Sequence, residues 1–169
     1  MFQFKCQTCG ELHQGVPSFG WDFPSQYLDI PPDERASRCE LNSEACVIDG
    51  QWHFVRGCLE IDVLNSEEVF SWGVWVSLSD ASFQQLVRQQ APRSAGPFFG
   101  WLCTHIWVYP DTLNLKTLVH IRDQGRRPLI ELEPTDHPLA VEQRSGITAQ
   151  RVAEIYAQIV HGQRPASMN

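Results

Sequence analysis

Long apolar runs are missing from this chain of 169 residues. None approaches the roughly 20 residues a membrane helix needs, and the N-terminus has neither the basic nor the apolar region of a secretion signal. A cytoplasmic location with no membrane partner is the expectation. Basic residues are also scarce, 13 Lys and Arg against 20 Asp and Glu, for a net charge of −7. Binding a nucleic-acid backbone needs clustered Lys and Arg that displace counterions, so nucleic acid is excluded as a general partner. A macromolecular partner would more naturally be a basic protein surface. Catalytic signatures are absent as well: no G-x-S-x-G elbow, P-loop, dinucleotide glycine fingerprint or H-E-x-x-H helix occurs. No internal repeat or low-complexity segment is visible.

What is present fits one α+β domain over residues 1–162, with a flexible tail, "QRPASMN", over its last seven residues, 163–169. Hydrophobic residues make up 43% and charged residues 20%, near globular averages, and a chain this long buries enough apolar surface to stand without staples. "FQFKC" alternates like a short strand, and the proline-rich stretch after it reads as an ordered loop with helical turns near Pro24–Ile30 and Pro32–Arg38.

In "HFVRGCLEIDVL", His53, Val55, Leu59, Ile61 and Val63 share one face, and in "VFSWGVWVSLS" so do Phe70, Trp72, Val74, Val76 and Leu78. "NSEE" turns one strand into the other as a hairpin. A helix starts at Ser79 and runs through "SDASFQQLVRQQ" to the stop "APRSAGP". "FFGWLCTHIWVYP" is apolar without a clear period, and "LNLKTLVHIR" and "RPLIELEP" are two further strands about the turn "DQGR". Thr148 caps a final helix with Ile147 as a hydrophobic staple against Val152 and Gly162 as the stop. The expected architecture is α+β: a mainly antiparallel sheet of about four or five strands, two main helices and an N-terminal zinc knuckle within residues 1–50.

The knuckle rests on "KCQTCGELH". Two thiolates separated by two residues reach one ion when the turn between them is tight, and Gly10 supplies the positive φ that such a turn commonly requires. Structural zinc takes four ligands. His13 lies on the knuckle itself, Cys39 and Cys46 flank a short connecting segment, and Cys58 sits within a regular strand where convergence is harder. Cys6, Cys9, His13 and Cys46 form the preferred set, with Cys39 as substitute. A redox pair would want its first cysteine at a helix N-terminus, which "CQTCGELHQG" does not offer.

The blocks "KCQTCGELHQGVP", "SEACVIDG", "FVRGCLEI", "WGVWVSLS", "YPDTLNLKT" and "RPLIELEPTDHPLAVEQRSGIT" together resemble a bacterial family with no assigned activity, the domain-of-unknown-function family 2199. The resemblance implies recurrence of the knuckle cysteines, the following histidine and a cysteine at the place of Cys46, which favours Cys46 over Cys39. It implies no enzyme class.

Two further groups are candidates for function. "ELEPTDHPLAVEQRSG" gathers Asp136, His137 and Glu142 in a proline-broken loop, where an imidazole oriented by a carboxylate could serve a hydrolase-like enzyme. Trp75 stands between Gly73 and Ser77 on the face opposite Trp72; its ring anchors a partner if nothing covers it, and is core if the C-terminal helix or proline-rich region packs there. The leading functional reading is a non-catalytic, zinc-stabilised protein that binds another protein, in the manner of an immunity-type inhibitor of a basic toxin. The alternatives are the hydrolase built on His137 and Glu142 and a thiol oxidoreductase using Cys6 and Cys9.

Overall fold

The computed structural model describes residues 1–87 and 95–162. Within them run β1 (Gln3–Lys5), β2 (Leu12–Gln14), β3 (Ser18–Gly20), α1 (Ser25–Leu28), α2 (Arg35–Arg38), β4 (Cys39–Leu41), β5 (Ala45–Ile48), β6 (Trp52–Asp62), β7 (Val69–Leu78), α3 (Asp80–Val87), β8 (Phe98–Leu102), β9 (Lys116–His120), β10 (Leu129–Leu132), α4 (Pro138–Ser145) and α5 (Ala149–His161). The expected tail, and the expected continuation of the Ser79 helix past Val87 with its stop, lie outside the described residues.

The long hairpin β6–β7 organises everything else. Its strands pair antiparallel from His53↔Leu78 to Asp62↔Val69, and the alternating side chains that share one face are all buried on it. Each strand divides its outer edge between two neighbours: β6 takes β5 along Trp52–Val55 and β10 at Cys58, while β7 takes β3 along Ser71–Gly73 and β8 at Val76–Ser77. Because β8, β9 and β10 continue antiparallel from one edge and β10 returns to β6, the five strands β6–β10 close into a barrel within an eight-stranded sheet. The α+β class is as the sequence reads, whereas in place of the expected sheet of about four or five strands stands an eight-stranded one, five strands of which close into the barrel.

The barrel closes at a narrow seam. The β6/β10 contact is parallel and registers a single pair, Leu129↔Cys58. Gly57 is there because a Cβ would stand 2.5 Å from the Ile130 side chain and 2.9 Å from the Pro128 carbonyl. Where the ladder ends, the Gln143 side chain of α4 replaces it: its amide donates to the Ile130 carbonyl (2.8 Å), and its oxygen accepts from the Leu132 N–H (2.8 Å).

Phe70, Trp72, Leu59, Ile61, Leu102 and Ile130 fill the barrel, and α5 adds Val152, Ala153 and Ile155. Thr148 caps α5 by accepting from the Arg151 N–H, and Ile147 and Val152 are both buried in that core, as the staple pattern anticipates. A second apolar cluster, Ile30, Cys46, Ile48, Phe54, Trp75 and Cys103, lies on the other side of β5–β7 beneath the proline-rich segment carrying Trp21 and Tyr27. Strands β1 and β2 form a separate two-stranded hairpin that contacts α5.

Candidate metal centre

The hairpin β1–β2 is the knuckle. Lys5 leads into a tight loop in which the Cys6 N–H donates to the Glu11 carbonyl and the Gly10 N–H to the Cys6 carbonyl, both at 2.9 Å. Gly10 has φ +74, the left-handed conformation its place after Cys9 calls for. The backbone N–H groups of Cys9 and then Thr8 reach the Cys6 sulfur and hold its thiol below the ordinary range. His13 faces Phe4 across the ladder, so its ring stacks on Phe4 (5.1 Å) and leans on Tyr156 of α5 (4.4 Å).

This brings Cys6, Cys9 and His13 into one group whose ligand atoms all lie within 4.8 Å of one another. The Cys9 sulfur is 3.8 Å from His13 Nε2. Ligands about 2.3 Å (sulfur) and about 2.0 Å (nitrogen) from a tetrahedral zinc stand about 3.5–3.8 Å apart, so the donor set fits such an ion. Cys6 is buried, His13 half-buried and Cys9 exposed, which opens the group to solvent on one side. A carboxylate anchors the hairpin at its other end: Glu68, beyond the β6–β7 turn, accepts from the N–H groups of Phe2 (2.8 Å) and Val16 (3.0 Å). Those two donors hold its carboxyl below the usual carboxylate range.

Cys46 does not join this group. It is fully buried in the second apolar cluster, in register with Phe54 on β6, and burial, helped by the nearby Cys39, pushes its thiol up to about 12. A sulfur that stays protonated among Ile30, Ile48 and Trp75 is a packing group. Cys39, the substitute ligand, packs against that same cluster. All six cysteines are free.

Trp75 is likewise not an exposed anchor. Its ring has no accessible surface, and its indole N–H donates to the Trp21 carbonyl at 2.9 Å, under the proline-rich segment. The face is covered by Ile30 and Cys103 with Trp21 and Tyr27 packed against them, while Gly73 pairs closely with Gly20 of β3 at the strand edge. In the His137 loop both His137 and Glu142 have structural partners. His137 Nδ1 accepts the Leu139 N–H (3.2 Å) as the cap of α4, which leaves Nε2–H to donate to the Pro110 carbonyl (3.3 Å). Glu142 accepts from the Tyr109 hydroxyl and from Arg151 Nε (2.7 Å), and Arg151 lies over the Tyr109 ring. Asp136 is exposed beside the loop.

Two features escape the sequence reading. A cavity of about 590 Å³ opens between the end of α3 and the 121–128 turn, lined by Glu44, Arg56, Leu86, Arg122 and Arg127 among others. Arg127 forks onto Glu44 and Arg122 pairs with Glu60, so two of its cations are already neutralised. On the outer face of β8–β9, Phe99, Trp101 and Leu118 are 48%, 39% and 37% exposed, with the two aromatic rings edge to face at 5.1 Å. Phe99, Leu118 and Glu131 form one row across three strands. The signal was the alternation hidden in "FFGWL", where Phe98, Gly100 and Leu102 turn inward and the other two outward.

No helix among the described residues is long and apolar enough to cross a membrane. No curated protein and no solved structure matches the chain. One family model, described as an uncharacterized protein conserved in bacteria (DUF2199), matches residues 5–147, from the knuckle through the barrel to the end of α4. With most of its length so matched, the chain belongs to this bacterial family.

Proposed function

We propose that this is a non-catalytic, zinc-stabilised protein that works by binding another protein. The observation that carries the reading is the Cys6–Cys9–His13 group, a soft donor set with one thiol already biased toward thiolate, built on a hairpin that rests on α5. Zinc suits that set, and it ties the hairpin shut at its loop end, beyond a ladder of three residue pairs. The commitment of His137 to a helix cap and of Glu142 to Tyr109 and Arg151 supports a structural role for the polar loop.

The binding face we assign is Phe99, Trp101 and Leu118, bordered by Glu131 and Glu133, half-exposed carboxylates that pair with His120 and Lys116. Large aromatics dominate interface energetics, and the net charge of −7 favours a basic partner, the kind of surface an immunity-type inhibitor neutralises. The test has two arms. Purified protein should retain about one zinc after dialysis against buffer without chelator, and Cys6→Ser should lose it. Tagged protein should retain a basic partner from its own host in a salt-sensitive manner, and Trp101→Ala should release that partner without lowering the melting temperature. A protein that turns over a substrate, or a Trp101→Ala variant that keeps the same partner, overturns the binding reading.

A further inference from the structure

Three donors leave a structural zinc one short, and the structure points to where the fourth comes from. We infer that His161, in the last turn of α5, completes the Cys6–Cys9–His13 site. This rests on the zinc reading above and extends it to a part of the chain beyond the residues that the family model matches.

The inference comes from the way β1 lies along α5. Both elements start beside the β6–β7 turn: Glu68 holds Phe2 at the head of β1, and Ile147, just before α5, bridges to Val63 with the Leu64 N–H donating to its carbonyl. Both then run away from that turn. They meet at one level through Phe4, His13 and Tyr156, whose rings are mutually 4.4–5.2 Å apart. From Phe4 to Cys6 the strand advances two residues, about 6.6 Å at about 3.3 Å each. From Tyr156 to His161 the helix advances five residues, about 7.5 Å at about 1.5 Å each. The knuckle sulfurs and His161 therefore stand at the same height on adjacent elements.

The rings continue the sequence: Tyr156 touches His13 at 4.4 Å and lies 6.1 Å from His161. His161 is exposed, so its imidazole can rotate toward the sulfurs without disturbing the core. The completed set would be two cysteines and two histidines, with Tyr156 as the wall against which both imidazoles are oriented. Glu11 is the competitor, a carboxylate in the knuckle loop whose charge reaches Cys6.

Cobalt(II) reports coordination directly, because four protein ligands and three ligands plus water give different visible ligand-field bands. The full chain, His161→Gln and Glu11→Gln are each titrated with cobalt and then displaced with zinc. We expect the Glu11→Gln spectrum to match the unaltered protein, whereas His161→Gln still binds cobalt but with shifted, weakened bands and roughly a hundredfold lower zinc affinity. Far-UV circular dichroism of the metal-free proteins checks that both variants fold. An unchanged spectrum and affinity in His161→Gln overturns the assignment of His161 while leaving the zinc site standing, as does a change confined to Glu11→Gln. Absence of binding by the unaltered protein removes the zinc reading itself.

Discussion

The barrel and the knuckle hairpin are held together by opposite means. The barrel closes over a continuous apolar interior in which Phe70, Trp72, Leu59 and Ile61 have no accessible surface. The hairpin has three residue pairs, one buried apolar side chain in its strands and an exposed Leu12. Burial at about 25 cal/mol per Å² stabilises the first and can do little for the second. The difference teaches that the candidate metal donors are where the hydrophobic effect runs short, so on the proposed zinc reading a chelator should loosen the N-terminus and leave the barrel folded.

The largest expected effect lies in the barrel. Trp72→Ala empties a fully buried site and should cost about 3–5 kcal/mol, read as a lower denaturant midpoint for the whole chain. A loss well below that would mean the barrel shares its stability with the hairpin. Next comes Cys6→Ser, which on the proposed zinc reading should cancel a stabilisation of about 2.7 kcal/mol when free zinc stands a hundredfold above its dissociation constant. Amide exchange should speed up at Phe4 and His13 and stay slow at Trp72; uniform acceleration would erase the contrast between the two regions. Gln143→Leu sharpens it from the barrel side. It unpairs the Ile130 carbonyl and the Leu132 N–H at the seam and should cost about 1–3 kcal/mol, with exchange rising first in β10.

The smallest effect belongs to Glu68. Its carboxyl is held below its ordinary value by the Phe2 and Val16 N–H groups, so its contribution is complete above the ordinary carboxylate pKa and is lost as the pH falls through the lower folded-state one. In metal-free protein the hairpin resonances should broaden on acidification, and Glu68→Gln should be loosened at neutral pH and lack that step. An identical acid transition in both proteins would place the anchor elsewhere.

How far the sequence revealed this depends on how local each signal is. The faces of β6 and β7 were legible because a period of two with one apolar side is a property of neighbours, and α5 was legible because Thr148, Ile147 and Gly162 mark its ends. Gly10 and His13 were legible for the same reason. Strands β2, β3 and β4, of three residues each, carry no period, and β8 hid its alternation because both of its faces are apolar. Closure into a barrel depends on one pair between β6 and β10, 71 positions apart, which no window along the chain contains. Cys46 was misplaced because its role depends on the proline-rich segment folding over β5–β7, and that same segment decides between the two readings of Trp75 in favour of core.

One consequence follows from the uneven burial of the sulfurs. Cys9 is exposed, while Cys6, Cys46 and Cys103 are sealed away. An alkylating tag such as a maleimide should therefore attach first at position 9, and only when no ion occupies the knuckle, so its rate of attachment would read metal loading inside intact cells.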